Sequence, residues 1–312
     1  MLDAHSLPEL TVNVFPGGFN WGLYAGIGKG FFRAHGISVR VVGTPNSVTQ
    51  MTELSQGKFD IAMTAVDNVV AYAEGQGEAR IGPQPDFFAF MGSDSGFLSL
   101  VGSAKIERIE DFAGRTLSVD ALTTGYAFVL YELLRRHGLQ RSAYSLRRVG
   151  GMVQRLNSLV DGNEDGTLLS APYDLLAKAK GLRPLVKATS VLGRYQGNVA
   201  AARRTWAKLN VHVLVAFIRG YRQSIAWLYE PAHRAEALEI LMRNVPGMTP
   251  DLAEASYAEL LDPQDGFFKD CNIDIAGLDR VLELRSRYAE PKRELGDPLK
   301  YCDLTYYERA LA

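Results

Sequence analysis

Short apolar runs alternate with longer amphipathic stretches through the first two hundred or so residues, the pattern of strands feeding helices in an α/β protein. The run TVNVF at 11–15 predicts a strand. Behind it, 22–35 predicts a helix closed by Gly36, since glycine readily takes the left-handed conformation at a helix end. A strand over 38–42 follows. Asn46 or Ser47 then offers a side-chain oxygen to the free amides of a helix that runs to Gln56 and closes at Gly57. Residues 59–63 predict a third strand and 68–75 a third helix. A glycine- and proline-bearing loop over 75–85 leads to strands at 87–91 and 97–101, set around the turn GSDSG.

The pattern then restarts. A helical turn at 109–112, a strand at 116–119 and an amphipathic helix over 126–137 ending at Gly138 repeat the earlier order. Strands at 146–149 and 166–170 flank a helix over 152–161, and a helix over 171–180 carries Pro172 in its first turn, where a missing N–H costs nothing. Segments 185–188 and 198–202 read as extended. From Thr205 the pattern is mostly helical, punctuated by Pro231, Pro246, Pro263, Pro291 and Pro298. The longest apolar stretch, from Val211, carries Arg219 and Arg222 in its middle and reads as a buried amphipathic helix; the chain is not expected to be membrane-embedded.

Composition narrows the function classes. The 34 basic and 35 acidic residues of this 312-residue chain nearly cancel without long blocks of one sign, so no nucleic-acid partner is expected. The two cysteines, Cys271 and Cys302, have no companions at metal-ligand spacing; they either pair in an oxidising compartment or stay as two thiols. No metal and no cofactor is expected. The start, MLDAHSLPELTVNVF, lacks the basic segment, apolar stretch and small-residue cleavage site of a secretory signal. The expectation is a periplasmic or extracellular protein if a signal was trimmed, and a cytoplasmic one if Met1 is the native start.

Three motifs in fixed order sharpen this picture: GLYAGIGKGFFRAHGISVRVV at 22–42, G-x-F-D-I-A at Gly57 to Ala62, and DFAGRTLSV at Asp111 to Val119. Together they resemble the type II periplasmic substrate-binding proteins of ABC transporters, in the branch handling sulfonates, taurine, nitrate and thiamine-type pyrimidines. The resemblance runs from about Leu10 to about Glu230. It implies a two-lobed α/β fold, each lobe a mixed sheet flanked by helices, with two crossovers near 95–99 and 195–198. The first lobe would comprise 1–98 and 199–312, the second 99–198. Such a protein would capture a small organic ligand between its lobes by hinge closure, hand it to an ABC transporter permease, and act as a monomer.

Candidate site residues lie in the loops that follow strands, where doubly wound domains bind ligands. In the first lobe these are Phe15, Phe19, Asn20 and Trp21, then Asn46 and Ser47, then Thr64 and Asp67, then Asp94 and Ser95 at the first crossover. In the second they are Thr123, Thr124, Gly125 and Tyr126, at a helix start with free amides, then Tyr173, Tyr195 and Asn198. Each has a plainer reading. Asp67 suits a helix cap, Asp94 an ordinary turn, and Phe15, Phe19 and Trp21 a core, although three aromatics around Pro16, Gly17 and Gly18 look more like a wall.

An enzyme of the same fold, a lyase or a thiamine-pyrimidine-type synthase, is the alternative. The relatives that are synthases use a Cys-rich iron motif, which this chain lacks, and its two cysteines fall in the C-terminal helical region. Aromatic walls with Asp, Asn, Ser and Thr suit a flat polar ring or an amine better than a bare inorganic anion. Sulfonate could still be held by helix N-termini, with no Arg or Lys in the early cleft loops.

Overall fold

The computed structural model describes residues 7–82 and 85–312. The leader 1–6, with His5, and positions 83 and 84 of the expected 75–85 loop lie outside these. Ten strands occur among the described residues: β1 (Glu9–Val14), β2 (Ser38–Gly43), β3 (Ile61–Ala65), β4 (Phe87–Gly92), β5 (Ser99–Gly102), β6 (Thr116–Val119), β7 (Ser145–Arg148), β8 (Gly166–Leu169), β9 (Arg183–Lys187) and β10 (Asn198–Arg203). They form two five-stranded sheets, ordered β2-β1-β3-β10-β4 and β7-β6-β8-β5-β9.

The two sheets are built alike. In the first, β1 runs parallel to β2 and β3, with Val12 opposite Ile61, while β10 is antiparallel to β3 and β4. In the second, β6 runs parallel to β7 and β8, while β5 is antiparallel to β8 and β9. The antiparallel strand is in each case the one that has just arrived from the other sheet. The chain passes across between Gly92 and Ser99 and returns between Lys187 and Asn198. This is the two-lobed architecture that the sequence implies.

Burial explains the strand sequences. β1 is covered on both faces past Glu9, so it reads as a near-continuous apolar run. β2 lies at the sheet edge and turns Arg40 outward, where its guanidinium donates to Glu9 and Thr11. Behind the first sheet, the helix Val211–Tyr229 is packed as expected, with Phe217 stacked on Phe32 at a centroid distance of 5.4 Å. A second apolar core joins the helices Val66–Ala73, Gly125–Arg136 and Ile275–Tyr288, so the last of these packs against both lobes.

Some boundaries differ from the sequence expectation. The helix expected over 22–35 divides into Trp21–Gly28 and Phe31–Ala34, because Gly30 adopts a left-handed conformation with φ of 72°. β3 ends at Ala65 and the helix Val66–Ala73 starts at once, which moves Thr64 into the strand and Asp67 into the first helical turn. No helix of the described residues is long and apolar enough to cross a membrane.

Candidate ligand-binding cleft

The carboxyl ends of β1, β2, β3, β6 and β7 face one another across a cavity of about 320 Å³. Phe15, Pro16 and Phe19 follow β1; Thr44, Pro45, Asn46 and Ser47 follow β2; Ala65 and Asn68 follow or end β3. The second lobe contributes Asp120, Thr124, Gly125 and Tyr126 after β6, and Gly151 to Arg155 after β7. Gly96 and Asn198 close the hinge side. Most of this lining is apolar, so water-mediated competition is weak and each polar group counts.

The lobes touch around the cavity. Tyr173 donates its hydroxyl to the Pro16 carbonyl at 3.3 Å, and a β-carbon on Gly18 would lie 3.0 Å from the Ala171 carbonyl oxygen. Near the hinge, a β-carbon on Gly125 would overlap Asp67, at 2.4 Å from its Cβ, so the start of the second-lobe helix fits there only as glycine.

The second lobe's polar residues at this space include Thr124 and the exposed Gln154, and three that titrate: Arg155, Asp120 and Tyr126. Arg155 is only 4 % exposed; its Nε donates to the Gly150 carbonyl and its Nη1 to Thr167 and the Leu168 carbonyl. Asp120 accepts from the Thr124 hydroxyl at 2.7 Å. Burial raises its pKa from the usual carboxylate value, against the opposing charge of Arg155 and the Thr124 hydrogen bond. Tyr126 has a buried hydroxyl without a hydrogen-bond partner among the described residues, and burial holds its pKa well above the ordinary phenol value.

The hinge side is a polar knot. Asp94 Oδ1 accepts from the Gly96 amide at 2.8 Å, from the Asn198 amide at 3.2 Å and from Asn198 Nδ2 at 2.9 Å. Burial lifts the Asp94 carboxyl to about 6 although these donors favour its charged form. Gly197 donates its amide to the Asp94 carbonyl at 2.9 Å, so the two crossing segments are hydrogen-bonded directly to each other.

Of the residues singled out in the sequence, Phe15, Phe19, Asn46, Ser47, Thr124, Gly125, Tyr126 and Asn198 line the cavity. Others are corrected. Trp21 is fully buried, donates its indole N–H to the Ala237 carbonyl at 2.9 Å and packs edge-on against Tyr257; it is core, not a cleft wall. Asp67 is clamped by Arg285, which donates Nε to Oδ1 at 2.7 Å and Nη2 to Oδ2 at 2.6 Å, so its carboxylate is already occupied. Asp94 serves the hinge, and Ser95 donates to the Asp265 carbonyl at 2.7 Å.

The remaining candidates also have protein partners in place of a cavity face. Asn20 donates to the Phe15 carbonyl, Thr64 accepts from Asn68, and Thr123 donates to Glu78. Tyr173 bridges the lobes at Pro16, and Tyr195 is buried in the shared core. Sequence reasoning passed over Asp120 and Arg155. Asp120 had a signal, as the first residue after a parallel strand; Arg155 had none, since one charged position in an amphipathic helix reads as surface.

Among the described residues no cysteine or histidine lines the cavity. Cys271 and Cys302 are both unpaired and buried, and burial pushes the Cys302 thiol up to about 11. Among the described residues no cluster of three or more His, Cys, Asp or Glu side chains is placed to hold a metal ion.

A cleft between two lobes of one strand order, with both crossings at its back, is matched in known proteins. The family model described as NMT1/THI5 like matches residues 20–235, most of the chain. The chain belongs to the NMT1/THI5 like family. Among solved structures, this family member is similar to the ligand-binding component of an ABC-type import system from Staphylococcus aureus with zinc bound, at 13% identity and a TM-score of 0.78, covering 97% of this chain and 99% of that one. It is similar to the alkanesulfonate-binding protein SsuA from Xanthomonas axonopodis pv. citri bound to MOPS, at 15% identity and a TM-score of 0.71, covering 91% and 92%. It is also similar to the desulfurization enzyme DSZB, at 14% identity and a TM-score of 0.66, covering 97% and 99%. The shared feature is the periplasmic-binding-protein fold. No curated protein matches the chain in sequence.

Proposed function

We propose that this protein captures a small organic molecule between its lobes and delivers it to the permease of an ABC importer, acting on the periplasmic or extracellular side of a membrane. The observation that carries this reading is the cavity itself: residues from the strand ends of both lobes wall one space behind which both crossovers lie. A ligand that touches both lobes stabilises the closed arrangement by its differential affinity for it. We take 99–198 as the lobe that moves against the rest of the chain. The similarity to an import-system component and an alkanesulfonate-binding protein supports the same reading.

Native mass spectrometry of the purified protein tests it, with a co-purified small molecule as the expected result. Added back at a hundredfold its dissociation constant, that molecule should stabilise the fold by about 2.7 kcal/mol. Steady conversion of the molecule to product would overturn the transport reading. It would favour a small-molecule enzyme of this fold, for which Asp120 and Tyr126 are the acid–base groups at the cavity and DSZB is the structural parallel.

A further inference from the structure

We infer that the cleft selects a neutral molecule whose apolar body carries an amide-type edge, with a hydrogen-bond acceptor for Arg155 and an adjacent donor for Asp120. The inference deepens the proposed capture function and rests on it. Its basis is an asymmetry between the lobes. Most first-lobe side chains at the cavity are engaged within the protein, Ser47 excepted: Thr44 donates to the Asn46 carbonyl, Asn46 caps Thr49 and Asn68 donates to Thr64, while Asn198 at the crossover donates to Asp94. Beside them stand Phe15, Pro16 and Phe19, which offer only apolar surface.

The second lobe is the reverse. Arg155 spends Nε and Nη1 on backbone and Thr167, and Nη2 is left without a protein partner among the described residues. Asp120 accepts from the Thr124 hydroxyl at one oxygen, and no other side chain donates to it among the described residues. The Tyr126 hydroxyl, buried and unpartnered, stands with them. Arg155 and Asp120 influence each other electrostatically but form no ion pair among the described residues, so an object between them is needed to use both charges.

Charge balance then decides the ligand class. One guanidinium and one carboxylate line the cavity, and an amide-type edge satisfies both without bringing a charge of its own. A sulfonate or carboxylate satisfies Arg155 but sets its anion beside Asp120, and an amine or amidine satisfies Asp120 but faces Arg155. In a mostly apolar space either mismatch is costly. The head of the ligand therefore binds the second lobe, and the first lobe closes over its apolar body.

Three probes of one shape and different charge test this: benzamide, benzenesulfonate and benzamidine, titrated by calorimetry into the full chain. Benzamide is expected to bind at least tenfold more tightly than either ion. Tyr126→Phe, which removes one oxygen without a structural partner, is expected to weaken benzamide about three- to tenfold at unchanged thermal stability. Asp120→Asn is expected to narrow or reverse the gap between benzamide and benzenesulfonate. Benzenesulfonate or benzamidine binding to the wild type as tightly as benzamide, or no change in either variant, overturns the inference while leaving small-molecule capture standing. Failure of all three probes to bind, with no co-purified molecule, overturns both.

Discussion

Arg285 grips both carboxylate oxygens of Asp67 from 218 residues further along the chain, and the two side chains are removed from water together. The same guanidinium donates to Gln76 and to the Thr123 carbonyl and lies over the ring of Phe128 at 5.0 Å. One side chain thus ties the first-lobe helix Val66–Ala73 to the start of the second lobe's helix Gly125–Arg136. Removing its acid partner leaves a buried cation uncompensated, a loss that costs about 3–5 kcal/mol. Asp67→Ala is expected to lower the urea midpoint accordingly. An unchanged midpoint would show that Arg285 finds another anion.

Gly197 presses against the other crossover. A β-carbon there would lie 2.1 Å from the Gly96 amide nitrogen and 2.4 Å from its Cα, and neither is a flexible side-chain tip that could swing away. Gly197→Ala must push the crossing segments apart, at a cost of about 1–3 kcal/mol or more. Both a lower thermal midpoint and weaker binding of the co-purified ligand are expected, because Asp94 and Asn198 hold the same crossing.

The buried acid at that crossing sets a pH dependence. The Asp94 carboxyl stands at about 6 in the fold, above its reference of 3.8, so between roughly pH 4 and 6 the folded state holds more protons than the unfolded one. Its contribution to stability is complete below about pH 4 and is lost as pH rises through about 6. Asp174, lifted to about 7 by burial and by nearby Glu259, acts in the same direction. Unfolding measured from pH 4 to 7 should therefore show a smaller stability loss with rising pH in Asp94→Asn than in the wild type. Equal slopes would contradict the assignment.

Trp21 and Phe19 should separate stability from binding. Trp21→Ala opens a cavity in a closed core and is expected to cost about 3–5 kcal/mol. Phe19→Ala removes a cavity wall, so ligand affinity should fall, with a smaller change in stability. Calorimetry and urea unfolding of both variants check this, and a loss of affinity confined to Trp21→Ala would reverse the two roles.

What could be read from the sequence follows the range of the forces involved. Strand ends, helix starts and left-handed glycines are set by neighbours a few residues away, so the alternation of elements and the loops holding Phe15, Asn46, Ser47 and Gly125 were legible. The fates of Trp21 and Asp67 depend on partners at Ala237 and Arg285, and no local pattern announces either pairing. Gly30 shows the intermediate case. Its left-handed turn splits a helix that the apolar period alone runs straight through.

Strand order also has a consequence for biosynthesis. The second sheet is built from one contiguous stretch, β5 to β9, whereas β10 is inserted between β3 and β4 of the first. As the polypeptide leaves the ribosome, the later-made sheet has all its strands while the earlier-made one still has an open slot, its two flanking edges unpaired. A nascent chain halted before Asn198 is therefore expected to protect 99–187 from protease and to leave β3 and β4 open to cleavage and to holdase chaperones. Completion of the N-terminal lobe waits for the chain to return.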